Sequence, residues 1–248
     1  MKKQFIAYLF LVILCSCKSN ENRILNKTNE LGGITKTVLS AKSKPIKDSI
    51  FDSLNNLVKI TEYFEENSHV KSTSSYKGHI KEGQSVEYFS NGRLKSKRYN
   101  YLGKECFERI DFTETGNLSK YVFLDSDQRR LYVRLYDNKG NCVNIKGEPF
   151  FESYIYAKGN LEFTAKDTVI AYFYAPVPPD CYVKLYTVQG LNEINNIREG
   201  AENFIFTVKI YPLTKGSYLW QVKMKIFEKK NDSLIYTSGI SNITYIVK

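Results

Sequence analysis

Apolar and polar positions alternate along much of this chain with the period of a β-strand. The clearest run is 217–227, where Tyr218, Trp220, Val222, Met224 and Ile226 alternate with Ser217, Leu219, Gln221, Lys223 and Lys225. Successive side chains of a strand point to opposite faces, so the run predicts one buried and one largely solvated face. Phe204, Phe206, Val208 and Ile210 predict a second strand of this kind. Further candidates at 168–174, 181–188, 233–236 and 242–247 are separated by turn-rich pieces such as Ala175-Pro-Val-Pro-Pro-Asp180. Short strands with hairpin-length and longer connections predict a β-sandwich over 150–248.

Upstream of Pro149 the pattern is a repeat. Tyr88-Phe-Ser-Asn-Gly92-Arg-Leu94, Phe112-Thr-Glu-Thr-Gly116-Asn-Leu118 and Tyr136-Asp-Asn-Lys-Gly140-Asn-Cys142 share an aromatic residue, a Gly four positions on, and an apolar residue two later. The glycines are 24 residues apart both times, and a weaker copy at Tyr63 puts Asn67 in the glycine slot. Each unit parses as a β-hairpin. In the first, 85–89 is a strand, Ser90-Asn91-Gly92 a tight turn needing positive φ, and 93–100 the return strand. A lone hairpin is marginal in water, so the units are expected to stack edge to edge into one antiparallel sheet over 46–149. The whole chain is thus expected to be all-β, a stacked hairpin sheet followed by a sandwich. Composition agrees, with 19 Tyr and 15 Phe against 2 Met, since aromatic residues favour strands.

The N-terminus differs. Met1-Lys2-Lys3 precedes an apolar run at 5–14 that is too short to span a bilayer and ends in Leu14-Cys15-Ser16-Cys17. These residues resemble the signal peptide and lipobox of bacterial lipoproteins. The resemblance implies cleavage before Cys17 and diacylation of that residue, and two acyl chains hold a protein stably on a membrane. An ordinary secretory signal with a coincidental Cys is the alternative. Lys18 stands where some inner-membrane retention signals carry Asp, which implies an outer-membrane lipoprotein on either face. Residues 18–45 are rich in Asn, Lys, Ser and Thr without a sustained period, and are expected to form a flexible tether.

The formal charge is +10, and removal of Lys2 and Lys3 leaves 34 basic against 26 acidic residues, about +8. Such a balance attracts polyanions. The charges are nevertheless dispersed among strands, as at Arg93, Lys95, Arg129, Arg130 and Lys223, and read as solvated faces. An exported chain is not expected to meet nucleic acid; acidic glycans or lipid head groups are the available polyanions.

Two resemblances bear on architecture. Gly83-Gln-Ser-Val-Glu-Tyr88-Phe-Ser-Asn-Gly92-Arg-Leu94 resembles the MORN-variant repeats of YwqK-type antitoxin proteins, and Tyr136-Asp-Asn-Lys-Gly140-Asn is also similar to the YD repeat of large secreted shell proteins. Leu213-Thr-Lys-Gly216-Ser-Tyr218, leading into Trp220, resembles the tyrosine corner of immunoglobulin-like and fibronectin type III domains. That likeness implies an immunoglobulin-like sandwich, with Tyr218 and Trp220 in its core.

Signals for chemistry are sparse. His69 and His79 form a poor metal site without a third His or a nearby Cys. After loss of Cys15 and lipidation of Cys17, Cys106, Cys142 and Cys181 remain, read as buried thiols or, for the first two, as a pair between successive copies. Asp125 and Asp127 read as solvated loop acids. No Gly-x-Ser-x-Gly elbow, phosphate loop, zinc-protease helix or paired-carboxylate motif occurs, so no enzyme, metal or cofactor is expected. The expected function is a membrane-anchored, non-enzymatic lipoprotein that binds a protein or glycan at the cell envelope. The antitoxin-like repeats carry the alternative, an immunity protein that neutralises a toxin. Partner contacts are expected on the open hairpin sheet, at Tyr88, Arg93, Tyr99 and Tyr101, unless the sandwich covers those aromatics.

Overall fold

A computed structural model describes residues 22–149, 152–156, 162–163, 169–187, 193–194, 204–210 and 216–247. The lipobox with Cys17, the segment 211–215 and the side chains of Tyr218 and Trp220 lie outside the described residues, so the anchor and tyrosine-corner readings do too.

The fold is all-β. An 11-stranded antiparallel sheet runs in sequence order through β1 (Arg23–Thr28), β2 (Ile34–Leu39), β3 (Pro45–Phe51), β4 (Leu57–Tyr63), β5 (Val70–Lys77), β6 (Ile80–Tyr88), β7 (Leu94–Tyr101), β8 (Lys104–Phe112), β9 (Leu118–Leu124), β10 (Arg130–Tyr136) and β11 (Cys142–Gly147). Two smaller sheets follow. β12 (Glu152–Tyr156), β14 (Val169–Tyr174) and β17 (Ile205–Ile210), flanking and following β13 (Glu162–Phe163), form a 3-stranded sheet. With β15 (Cys181–Thr187), β16 (Glu193–Ile194), β18 (Gly216–Glu228) and β19 (Leu234–Val247), β13 forms a 5-stranded sheet in the order β13-β19-β18-β15-β16. These two sheets make the expected sandwich. Val222, Met224 and Ile226 are fully buried while Lys223 and Lys225 between them are half-buried, as the alternation requires.

Seven turns of the long sheet follow one recipe. The opening residue donates its N–H to the carbonyl four residues on: Asn29 to Gly33, Ser40 to Lys44, Asp52 to Asn56, Phe89 to Arg93, Thr113 to Asn117, Asp125 to Arg129 and Asp137 to Asn141, at 2.8–3.0 Å. Where that residue is Asn, Asp, Ser or Thr, its side chain also accepts backbone N–H groups, as Asp52 does from Leu54 and Asn56. The fourth position of each of these turns has left-handed φ, at Gly32 (70°), Ser43 (59°), Asn55 (60°), Gly92 (82°), Gly116 (95°), Gln128 (70°) and Gly140 (83°), and the turn from Phe64 has it at Ser68 (59°). The slot expected for Asn67 therefore belongs to Ser68, because the turn from Phe64 is one residue longer and closes on the His69 carbonyl. Alternate turns, those from Ser40, Phe64, Phe89, Thr113 and Asp137, are tied together. Lys44 Nζ donates to the Glu66 carbonyl (2.8 Å), Asn67 Nδ2 to Ser90 (2.8 Å), Arg93 Nη1 to Thr115 (2.6 Å) and Asn117 Nδ2 to Asn138 (2.5 Å).

The recipe begins earlier than the sequence repeat suggested. Residues 23–28 and 34–39, expected within a flexible tether, are β1 and β2. The expectation rested on the scarcity of apolar surface to bury, but these strands do not depend on burial. Backbone pairing and turn caps hold them, and all of β1 is exposed, so its outward-facing backbone groups meet water.

Compactness divides the chain into Met1–His79 with Ser90–Gly92, and Ile80–Phe89 with Arg93–Lys248. Pro149, the expected boundary, does not separate compact units. In the first unit no hydrophobic side chain among residues 22–79 is fully buried. Cross-strand contacts take over: Asp48 on β3 accepts from Thr37 on β2 and Tyr63 on β4, both at 2.6 Å, and Lys36 Nζ lies 4.8 Å from the Phe51 ring centre. Such pairs contribute about 0.2–1 kcal/mol each. In the second unit a true core joins β8–β10 to residues of the C-terminal sheets, which is why the division does not fall at Pro149.

Candidate binding face

In the second unit the two faces of β6–β11 differ in chemistry. Alternation sends Tyr121, Phe123 and Tyr132 to one face, where they are at most 2% exposed. Phe107 stacks on Tyr174 with ring centres 4.2 Å apart, and Tyr99 meets Phe204 edge-on at 5.1 Å. Fully burying a side chain such as Phe107 or Phe204 contributes roughly 1.5–3 kcal/mol. The proline-rich segment 175–180 closes this face. Val177 N–H donates to Tyr121 Oη at 2.8 Å, and Asp180 accepts from Arg134 Nη2 at 2.6 Å and Tyr136 Oη at 2.7 Å. Burial and the bond to Asp180 hold the Tyr136 phenol well above its ordinary range.

Two of the four expected contact residues are spent here. Tyr99 and Tyr101 pack against the aromatic core, with Tyr101 and Phe107 centres 6.3 Å apart. Tyr88 is half-buried on β6, and Arg93 is exposed but bonds the Glu114 and Thr115 carbonyls. These four side chains do not converge on one site. Asp125 also departs from expectation: it is 2% exposed, caps its turn by accepting from Asp127 and Arg129 N–H, and pairs with Arg129 Nε at 2.5 Å. Asp127 is solvated.

The opposite face carries a different pattern. Cross-strand register lines up Arg109, Val122, Val133 and Lys146 in one row across β8–β11, and Asp111, Lys120, Leu135 and Asn144 in the next. On β6–β8 the charges neutralise one another: Arg98 contacts Glu87 at 3.4 Å and Glu105 at 3.7 Å, and Arg109 contacts Glu105 at 3.7 Å and Asp111 at 3.0 Å. On β9–β11 they do not. Lys120, Arg130 and Lys146 have no ion pair among the described residues, and they surround Val133 and Leu135 in a shallow depression. A second depression shares Lys120 and Arg130 and adds Val122 and Leu124 beside the neutralised Glu105 and Arg109. Three unpaired cations over an apolar floor favour an anionic occupant with apolar parts.

Lys120 and Lys146 escaped the sequence reading. The usable signal was Lys120-Tyr121-Val122-Phe123-Leu124, apolar on both faces of one strand, which alternation alone cannot sort into core and outer surface. No group of three or more His, Cys, Asp or Glu is placed to hold a metal among the described residues; His69 Nδ1 lies 3.1 Å from the Ser90 carbonyl. Cys106, Cys142 and Cys181 are free thiols. Comparison with protein-family models finds no match for this chain, and comparison with curated proteins finds no relative.

Proposed function

We propose that this chain is a membrane-anchored lipoprotein of the outer membrane that acts, without catalysis, as a protein- or glycan-binding module at the cell envelope. The observation that supports it most is the outer face of β9–β11, where Lys120, Arg130 and Lys146 stand unpaired around Val133 and Leu135 while the other face is consumed by core. The anchor rests on Leu14-Cys15-Ser16-Cys17, and the basic balance of the chain matches an anionic partner. Nucleic acid is not the partner of an exported chain.

Two measurements test this. Cys17→Ala is expected to abolish incorporation of a palmitate analogue and release the protein from the membrane; unchanged labelling rejects the anchor. Affinity capture from intact cells with the native chain and with Lys120→Glu plus Arg130→Glu is expected to recover a partner with the first only. Equal recovery rejects this face as the binding site.

A further inference from the structure

We infer that β11 and the depression beside it accept an extended peptide that alternates acidic and apolar residues, added as a further antiparallel strand. This rests on the binding-module reading and names the class of partner.

The first support is the edge itself. β11 is the last strand of the 11-stranded order and pairs with β10 alone among the described strands. Every second N–H and C=O along such a strand points away from its neighbour, and an extended peptide satisfies these groups directly.

The second is that the two faces of β11 carry different chemistries. Lys146 lies opposite Val133, on the face with Lys120 and Arg130. Ile145 lies opposite Arg134, on the other face, and is 45% exposed; Val143, the extra residue where the β10–β11 register shifts, is 64% exposed. An added strand also alternates its side chains. In register, its acidic residues meet Lys146, the cation on the edge strand itself, with Arg130 one strand further in, and its apolar residues meet Ile145.

The third concerns which occupants do not fit. A second copy would bring either of this sheet's own edges. The charges of β1 are Arg23 and Lys27 and that of β11 is Lys146, with no acid on either strand, so edge-to-edge self-association sets like charges together. An acidic glycan or an anionic lipid surface answers the cations, but neither has the strand periodicity that places one chemistry on each face.

The test uses the full chain and four probes: a capped peptide alternating Glu and Val, a peptide of the same composition with Glu and Val in separate blocks, polygalacturonate, and phosphatidylglycerol vesicles. The alternating peptide is expected to bind at least about tenfold more tightly than the block peptide, to weaken with added salt, and to slow amide exchange at 142–147. Arg130→Glu plus Lys146→Glu, with an unchanged melting curve, is expected to reverse the preference towards a peptide alternating Lys and Val. That gain cannot arise from misfolding. Equal binding of the two Glu-Val peptides, or binding without protection at 142–147, overturns the inference. Binding of polygalacturonate or vesicles alone overturns strand addition but leaves the binding-module reading standing. Binding of none of the probes overturns the inference and removes support for the face itself.

Discussion

Arg134 and Asp180, 46 positions apart in the chain, meet at 2.6 Å through Nη2 and Oδ2, and the Arg134 side chain is only 2% exposed. The pair fastens the loop before β15 to the centre of β10. A guanidinium in that position has lost its water, and Asp180 is the carboxylate that answers its charge.

Asp180→Ala is therefore expected to destabilise the protein by about 3–5 kcal/mol, because it strands a buried cation. Replacing both members, with Arg134→Met and Asp180→Leu, should cost markedly less, since no uncompensated charge remains. Urea unfolding followed by circular dichroism reads the difference. A double variant no better than Asp180→Ala would show that the loop depends on packing rather than on charge compensation.

The turn glycines separate two causes of strain. At Gly92 and Gly116 a Cβ would have nothing within 4 Å, so the cost of Val lies in the left-handed backbone alone, on the order of 1–3 kcal/mol. Asn at these positions, which tolerates positive φ, should recover most of it. At Gly147 a Cβ would meet the Leu131 carbonyl at 2.1 Å, so both Ala and Asn are expected to disrupt the end of β11. Thermal melting of the six variants tests this, and recovery by Asn at all three positions would contradict it.

The three thiols should react in a fixed order. Cys106 is 1% exposed, and Cys181 is fully buried, its pKa pushed up to about 12 by burial first and by Asp180 second. Cys142 is half-buried and raised by burial. Iodoacetamide at neutral pH is expected to label Cys142 first, and Cys106 and Cys181 only on unfolding; mass spectrometry of timed digests gives the order.

Tyr63 predicts a response to alkali. Burial and its hydrogen bond to Asp48 push its pKa up to about 12 from an ordinary 10.0. The folded chain then holds a proton that the unfolded chain releases, so the contribution is complete below about pH 10 and is lost as pH rises towards 12. Amide exchange in β4 should quicken across that window in the native protein, and Tyr63→Phe should remove this part of the dependence.

The sequence disclosed the glycine turns because only a few residue types tolerate positive φ, and Gly92, Gly116 and Gly140 all have it. It concealed the left-handed turn positions at Ser43, Asn55, Ser68 and Gln128, where no glycine marks the place. β1 and β2 were hidden for a related reason: strands solvated on both faces show no apolar period. The alternation of β18 was legible, as Val222 and Met224 show, because one face is dry. Tyr99 was left between a partner contact and a covered core, and Lys120 was missed, since alternation separates two faces without saying which one another part of the chain will cover. Only the long-range partners Phe204 and Asp180 decide that, and nothing local points to them.

The bonds that tie one turn to the next have an evolutionary consequence. Their acceptors are main-chain carbonyls, and their donors are Lys44, Asn67, Arg93 and Asn117, four positions filled by three kinds of side chain. An acceptor that every residue possesses cannot be lost by substitution, and a donor that several residues supply is easily replaced. Letters can therefore drift while the geometry of the row persists. A hairpin copied by unequal recombination would arrive with its own donor and its own carbonyl, ready to join its neighbours, so the number of strands in this sheet can change between generations without redesign of any of them.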